Sequence, residues 1–214
     1  MKTADCRLIV FAKAPLPGGV KTRWSPLLDA ESIAALYEQL IAYCLNTAVE
    51  AEVGPVDLWC MPSMEHPFFL DCSKKFQIQL YQQTEGDIGK RMAYAFYETL
   101  KKTDSALLMG TDVPSLTCAD LKEAKRNLQQ GAHAVISPTE DGGYALLGLC
   151  QYEPQLFEGV SWGTESVFEE TRERFGRLGW HWHELPERWD VDRPEDVKRL
   201  ISEGYLERKA KTNE

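Results

Sequence analysis

The stretch Ala106-Leu107-Leu108-Met109-Gly110-Thr111-Asp112-Val113-Pro114 constrains this chain more than any other. An apolar run passes into a glycine, then an acid, then a proline. A short apolar run bounded by turn residues suits a strand buried on both faces of a parallel sheet, although its periodicity alone also suits a buried helix. Gly110 and Pro114 favour the strand, since both punctuate regular structure. In open parallel sheets ligands lie beyond the carboxyl ends of the strands, which puts Asp112 where chemistry is usually done. Taken alone, Asp112 reads as readily as the first residue of a turn.

The same alternation runs through the chain. Residues 7–12, Arg-Leu-Ile-Val-Phe-Ala, read as a first buried strand. Over 31–50, Ile33, Leu36, Tyr37, Leu40, Ile41, Cys44 and Ala48 recur at helical spacing. Further strands are expected at 56–61, 76–81, 132–137 and 144–149, with a short one near 179–184. Helices are expected at 65–74, 88–100, 117–129 (capped by Thr117 or Ser115) and 164–175. A last helix starts in the Trp189–Asp196 stretch and runs to about Gly204; the charged tail Glu207–Glu214 reads as frayed. Strands alternating with helices mean a three-layer α/β/α sandwich on a mostly parallel, mixed sheet. The 214 residues read as a single domain, 1–214, without linker or repeat.

Composition narrows the function classes. With 43% hydrophobic and 27% charged residues the chain resembles an ordinary globule. No apolar run approaches the ~20 residues of a membrane span, and the first strand follows Met1 too soon for a signal peptide. A cytoplasmic protein is therefore expected. The six cysteines are scattered, without a Cys-x-x-Cys pair, and read as reduced thiols. His181 and His183 alternate as on a strand face and read as structural. A net charge of −9 argues against general nucleic-acid binding. Yet no acid lies between Asp5 and Asp29, while Arg7, Lys13, Lys21 and Arg23 do. One basic segment in an acidic chain suits a small anionic ligand.

That segment, Lys13–Arg23, is too rich in proline and glycine for helix or strand. Gly18 and Gly19 would let backbone N–H groups approach a phosphate, and Lys21 and Arg23 could point at one diphosphate. It matches neither G-x-G-x-x-G nor G-x-x-x-x-G-K-[ST], so neither of those cofactor assignments is licensed. A solvated surface loop is the alternative.

The acids to weigh are Asp112, Asp141, Asp190 and Asp192. Diphosphates often reach enzymes with Mg²⁺ or Mn²⁺, which take oxygen ligands and need few protein carboxylates when phosphates supply the rest. Opposite unit charges ~4 Å apart attract by about 4 kcal/mol at an effective dielectric of 20, against ~0.3 to 1 kcal/mol from a helix N-terminus. A metal would dominate the helix dipole, and Asp112 is its first-choice ligand. Asp192-Arg193-Pro194-Glu195 has the form of a helix cap with an acidic third position, a competing use that Asp190 lacks. Asp141-Gly142-Gly143-Tyr144 signals a hairpin or bulge with glycines at positive φ. Glycine there could equally let a substrate lie against backbone, with Asp141 binding sugar hydroxyls or acting as a base. Trp162, before a helix, reads as either a lid aromatic or a core anchor.

These pieces in this order resemble a known family. Phe11-Ala12-Lys13-Ala14-Pro15 with Pro17-Gly18 and Val20-Lys21-Thr22-Arg23, Gly86-Asp87-Ile88-Gly89 with Arg91-Met92, Gly110-Thr111-Asp112-Val113-Pro114, Asp141-Gly142-Gly143-Tyr144, Trp162-Gly163-Thr164-Glu165 and Asp190-Val191-Asp192-Arg193-Pro194-Glu195-Asp196 are similar to the bacterial glycosyltransferase-A-like proteins of the radical-SAM/selenodomain-associated transferase 1 type. The resemblance implies the Rossmann-like fold of nucleotide-diphospho-sugar transferases, a cousin of the molybdenum-cofactor and phospholactate guanylyltransferases. It implies that Ala12, Lys13, Gly18, Lys21 and Arg23, with Gly86 and Asp87, contact the nucleotide. It gives Asp112 the part of metal-binding aspartate, with Asp190 or Asp192 as second ligand, and places Asp141, Gly142, Gly143 and Trp162 at the substrate. The sequence departs from the usual pattern at Gly19, commonly arginine, and at Trp24, commonly leucine.

The expectation is a transferase that uses Mg²⁺ or Mn²⁺ and a nucleotide-diphospho-sugar donor, with a small-molecule acceptor. The alternative on the same fold is a nucleotidyltransferase joining a nucleoside triphosphate to a phosphorylated acceptor; a compact L-x-x-G-x-G-x-R-M signature for it is missing. A non-catalytic nucleotide-binding protein is the third reading.

Overall fold

A computed structural model describes residues 3–206, with side chains from residue 6 onward. The expected frayed tail, 207–214, lies outside the described residues. Seven strands form one sheet: β1 (Thr3–Lys13), β2 (Val56–Met61), β3 (Gln79–Gln82), β4 (Thr103–Gly110), β5 (Ala134–Pro138), β6 (Tyr144–Leu149) and β7 (Trp182–Glu184). Their order is β3-β2-β1-β4-β6-β5-β7, and every pairing is parallel except those made by β6 with β4 and β5.

Successive side chains of a strand point to opposite faces, and here both faces are covered. Leu8, Val10 and Ala12 turn towards α1 (Ala30–Glu50), α2 (Pro67–Phe76), α4 (Cys118–Gln129) and α6 (Pro194–Ser202). Ile9 and Phe11 turn towards α3 (Ile88–Leu100), α5 (Val167–Arg177) and a 3₁₀ turn at Pro154–Leu156. Alternate residues of β4 divide the same way, Leu107 and Met109 to the first core and Ala106 and Leu108 to the second. That double burial explains why the strand reads as a continuous apolar run. Full burial of each such Leu, Ile or Phe contributes roughly 1.5–3 kcal/mol.

The helices start where side chains satisfy their free N–H groups. Asp29 accepts from the Ser32 amide, Asp87 from the Lys90 amide (each 2.8 Å), and Thr117 forms a capping box with Asp120. Of the two expected caps for α4, Thr117 does the work, and Ser115 instead bonds Trp189.

Several boundaries move. Phe76 belongs to α2, not to β3: Gln77 adopts a left-handed conformation, φ 54°, and ends the helix, so β3 begins at Gln79. The start of α5 shifts to Val167 because Thr164 and Ser166 are drawn into a local network with Ser161 and Glu170. At α6 the capping carboxylate is Asp196, which accepts from the amides of Asp192 (3.0 Å) and Arg193 (2.6 Å). Asp192 is thus relieved of the capping role its sequence suggested.

Candidate active site

The crossovers create the site. β1 leads through α1 to β2 on one side, whereas β3 leads through α3 back across the sheet to β4 on the other side of β1. The loops leaving β1 and β4 therefore diverge from adjacent strand ends, the switch point where ligands bind in open α/β sheets. Phe11 and Gly110 are register partners, so Lys13 and Asp112 emerge side by side. The Thr111 hydroxyl donates to the Phe11 carbonyl across this gap (3.3 Å), and the Tyr37 hydroxyl lies 3.3 Å from that of Thr111.

The basic loop is anchored, not loose. Trp24 is completely buried at the end of a 3₁₀ turn, Thr22–Trp24. Lys21 precedes it in a left-handed conformation, φ 45°, which aims its side chain inward. The ammonium sits 3.0 Å from Asp112 Oδ2, 5.7 Å from the Trp24 ring and 6.0 Å from the Tyr37 ring, with only 10% of the side chain exposed. Arg23, 70% exposed, pairs with Asp192. The two cations, expected to converge on one point, are each held by a separate acid. The other oxygen of Asp112, Oδ1, is buried without a hydrogen-bond partner.

Two further segments meet the β4 loop at this edge. The β5–β6 turn carries Asp141, whose Oδ1 accepts from the Thr139 hydroxyl (2.6 Å) and the Gly143 amide (3.0 Å). Gly142 has φ +84°, and a Cβ there would stand 2.1 Å from the Glu165 carbonyl oxygen. This glycine admits the neighbouring backbone of Glu165. The segment before α6 is laced in from both sides: Arg188 donates to the Pro138 carbonyl (2.9 Å), Glu140 to the Arg188 carbonyl (3.1 Å), and Val191 to the Asp112 carbonyl (2.8 Å). Arg188 also forks onto Asp120, at 2.5 and 3.0 Å. This lacing brings Asp190 and Asp192 to the mouth of β4.

Asp190 is pushed up to about 6, first by burial and then by the charges of Asp141 and Asp192, against the opposing pull of Lys21. Four acids from three loops thus share one field with one nearly buried ammonium. An open cavity of about 1170 Å³ adjoins three of these acids, lined by Asp141, Asp190 and Asp192 with Arg23, Gly110, Gly142, Gly143 and Trp162 among others; Asp112 and Lys21 are not part of its lining. No group of three His, Cys, Asp or Glu side chains among the described residues is arranged to hold a metal ion by itself.

The remaining expected contacts lie around the β1 end. Ala12 is buried, and Lys13 and Gly18 are exposed. Asp87 is committed to capping α3, with Gly86 packed against the Lys90 side chain. Trp162 is half-buried, and a Cβ on Gly89 would stand 2.1 Å from its indole nitrogen. The pairing of Gly89 with Trp162 explains a glycine inside the first turn of a helix. Sequence reading missed Gln83, which is buried and donates to the carbonyls of Trp59 (2.7 Å) and Ala12 (3.3 Å), bridging β1 to β2. Glutamine ordinarily sits at the surface, so no sequence signal marked it.

The sequence profile of the family described as "Uncharacterized protein conserved in bacteria (DUF2064)" matches residues 44–164. No curated protein matches. Among solved structures, a "putative nucleotide-diphospho-sugar transferase" from Desulfovibrio desulfuricans G20 is 26% identical, with TM-score 0.83 over 95% of this chain and 90% of the other. CMP:2-keto-3-deoxy-manno-octonic acid synthetase complexed with CTP is 11% identical, with TM-score 0.61 over 94% of this chain and all (100%) of the other. Rv0371c from Mycobacterium tuberculosis H37Rv, solved in complex with manganese, is 13% identical, with TM-score 0.56 over 94% and 100%. The sheet order and the helices on both faces are those of the nucleotide-diphospho-sugar transferase-like fold.

Proposed function

The chain belongs to the bacterial family described as DUF2064, and from the geometry of the β4 edge together with the likeness to the Desulfovibrio desulfuricans structure we propose that it is a metal-dependent transferase using a nucleotide-diphospho-sugar donor. The observation that carries this reading is Asp112: an acid at the switch point, one oxygen on Lys21 and the other buried without a partner. An orphaned buried carboxylate oxygen is costly, and a divalent cation would satisfy it. Asp112 together with Asp190 or Asp192 would hold Mg²⁺ or Mn²⁺, with diphosphate oxygens completing the shell in place of a third protein ligand. When bound, the metal supplies charge neutralisation of the diphosphate.

The chain's own groups do the rest. Lys21 and Arg23 exchange their carboxylate partners for phosphate oxygens of the donor and stabilise the leaving nucleoside diphosphate. The hydrogen bonds that shape the Asp141 turn use Oδ1, which keeps Oδ2 for a sugar hydroxyl. Lys13 and the amides around Gly18, exposed on the loop that leaves β1, are assigned to the nucleotide. The likeness to the Desulfovibrio desulfuricans protein supports a diphospho-sugar donor.

Calorimetric titration of nucleoside diphosphates, with and without Mn²⁺, tests the assignment. The wild-type chain is expected to bind at least one of them in a Mn²⁺-dependent way, and Asp112→Asn to lose that dependence while keeping its circular dichroism. Unchanged Mn²⁺ dependence in Asp112→Asn counts decisively against it.

A further inference from the structure

Trp162 is a wall common to two cavities. One is the large cavity of the candidate site. The other, about 730 Å³, opens beside α3 and the 3₁₀ turn at Pro154–Leu156, and Trp162 lines both. Its volume falls within the range of small-ligand sites.

The second cavity is built from aromatic faces. Tyr94 and Tyr97 stand on α3 with 43% and 45% exposure, among the few large hydrophobic side chains so exposed. Tyr152 meets Tyr97 edge-on at 5.3 Å and stacks towards Phe157 at 6.5 Å. Tyrosine and tryptophan join an apolar face to a polar edge, the pattern complementary to a sugar ring, whose C–H faces stack while its rim of hydroxyls bonds outward. The charged groups around these rings are Glu85, Asp87, Glu158 and Lys90, with Thr84 beside them. Acids outnumber the base, which disfavours a phosphorylated or otherwise anionic ligand. Two ammonium groups offset most of that acidity and repel a cation: Lys90 in the lining and Lys101, 3.7 Å from the centre of the Tyr97 ring. A neutral, hydroxyl-rich molecule remains.

We propose that this groove binds the carbohydrate portion of the acceptor, stacked on Tyr94, Tyr97 and Trp162, so that its far end passes Trp162 into the cavity where transfer occurs. The assignment rests on the transferase reading for what happens there, but carbohydrate binding in the groove stands separately. Gly89 sets the shared wall, since only a residue without a side chain lets the indole lie against α3 at that point.

The test uses the full chain and a panel of neutral trisaccharides (maltotriose, cellotriose, mannotriose and N,N′,N″-triacetylchitotriose), read by tryptophan fluorescence and saturation-transfer NMR, with Mn²⁺-nucleoside diphosphate binding measured on the same samples. At least one trisaccharide is expected to bind, and Tyr94→Ala and Tyr97→Ala each to weaken it about tenfold with nucleotide binding unchanged. Absence of binding by the whole panel, or binding indifferent to both substitutions, overturns the proposal. Trisaccharide binding that depends on Tyr94 and Tyr97, in a chain that binds no nucleotide, upholds the groove and overturns the donor assignment instead.

Discussion

Asp190 is the residue whose charge the fold disturbs most plainly. Its folded value of about 6 lies above the ~3.9 of an unfolded aspartate. The folded state therefore holds the proton more tightly. The stabilising contribution is complete below about pH 4 and is lost as pH rises through about 6. Thermal denaturation between pH 5 and 7.5 should show the melting temperature rising on acidification in the wild type and rising less in Asp190→Asn. Equal slopes in the two would contradict the crowding of acids described here. Asp120 works in the opposite sense: burial raises it, but the bonds from Arg188 and Thr117 outweigh burial and hold it below the usual carboxylate range. Its contribution is present above about pH 4 and is lost as pH falls further, so the two windows do not overlap. The same scale separates what could be read in advance from what could not. Asp112 stood out because glycine and proline bracket an acid after a buried strand. The partner of Lys21 did not, because an ion pair between residues so far apart in the chain leaves no local pattern.

Elements were legible in proportion to the regularity of their apolar pattern. β2 and β6 fall where their apolar runs place them, and α3 starts and ends as its spacing of Ile88, Met92, Phe96 and Leu100 implies. β3 was misplaced because Phe76, an apolar residue next to a strand, satisfies the last turn of α2 equally well. The start of α6 was ambiguous because Asp192 and Asp196 both offer a carboxylate near Pro194; only the folded chain shows Asp196 bonded and Asp192 free of that duty. The β5–β6 turn supplies the test at this scale. At Gly142 an added methyl meets both a positive φ and the Glu165 carbonyl. Gly142→Ala should therefore destabilise the fold by about 2 kcal/mol or more, read as a lower denaturant midpoint at unchanged slope. A change within ~0.5 kcal/mol would mean that the turn and the Glu165 segment are not packed as described.

For the molecule as a whole, the informative feature is convergence. The β1 loop, the β4 loop, the β5–β6 turn and the segment before α6 are spread across the chain and meet at one sheet edge, fastened by backbone bonds from Arg188 and Val191. Alternating strands and helices announce such an edge, but not which acids will share it. Asp112, Asp141, Asp190 and Asp192 each stood out separately in the sequence; that they share one field is visible only in the folded chain. On the proposed reading, this edge binds a diphosphate through a metal on Asp112. The most direct test is a thermal-shift panel of nucleoside diphosphates, nucleoside triphosphates and nucleotide-diphospho-sugars, each with and without Mn²⁺. A ligand at 100 times its dissociation constant stabilises a fold by ~2.7 kcal/mol, a shift of a few degrees. A Mn²⁺-dependent shift is expected with at least one nucleotide-diphospho-sugar, abolished in Asp112→Asn. Shifts confined to triphosphates, or equal with and without Mn²⁺, would contradict that reading.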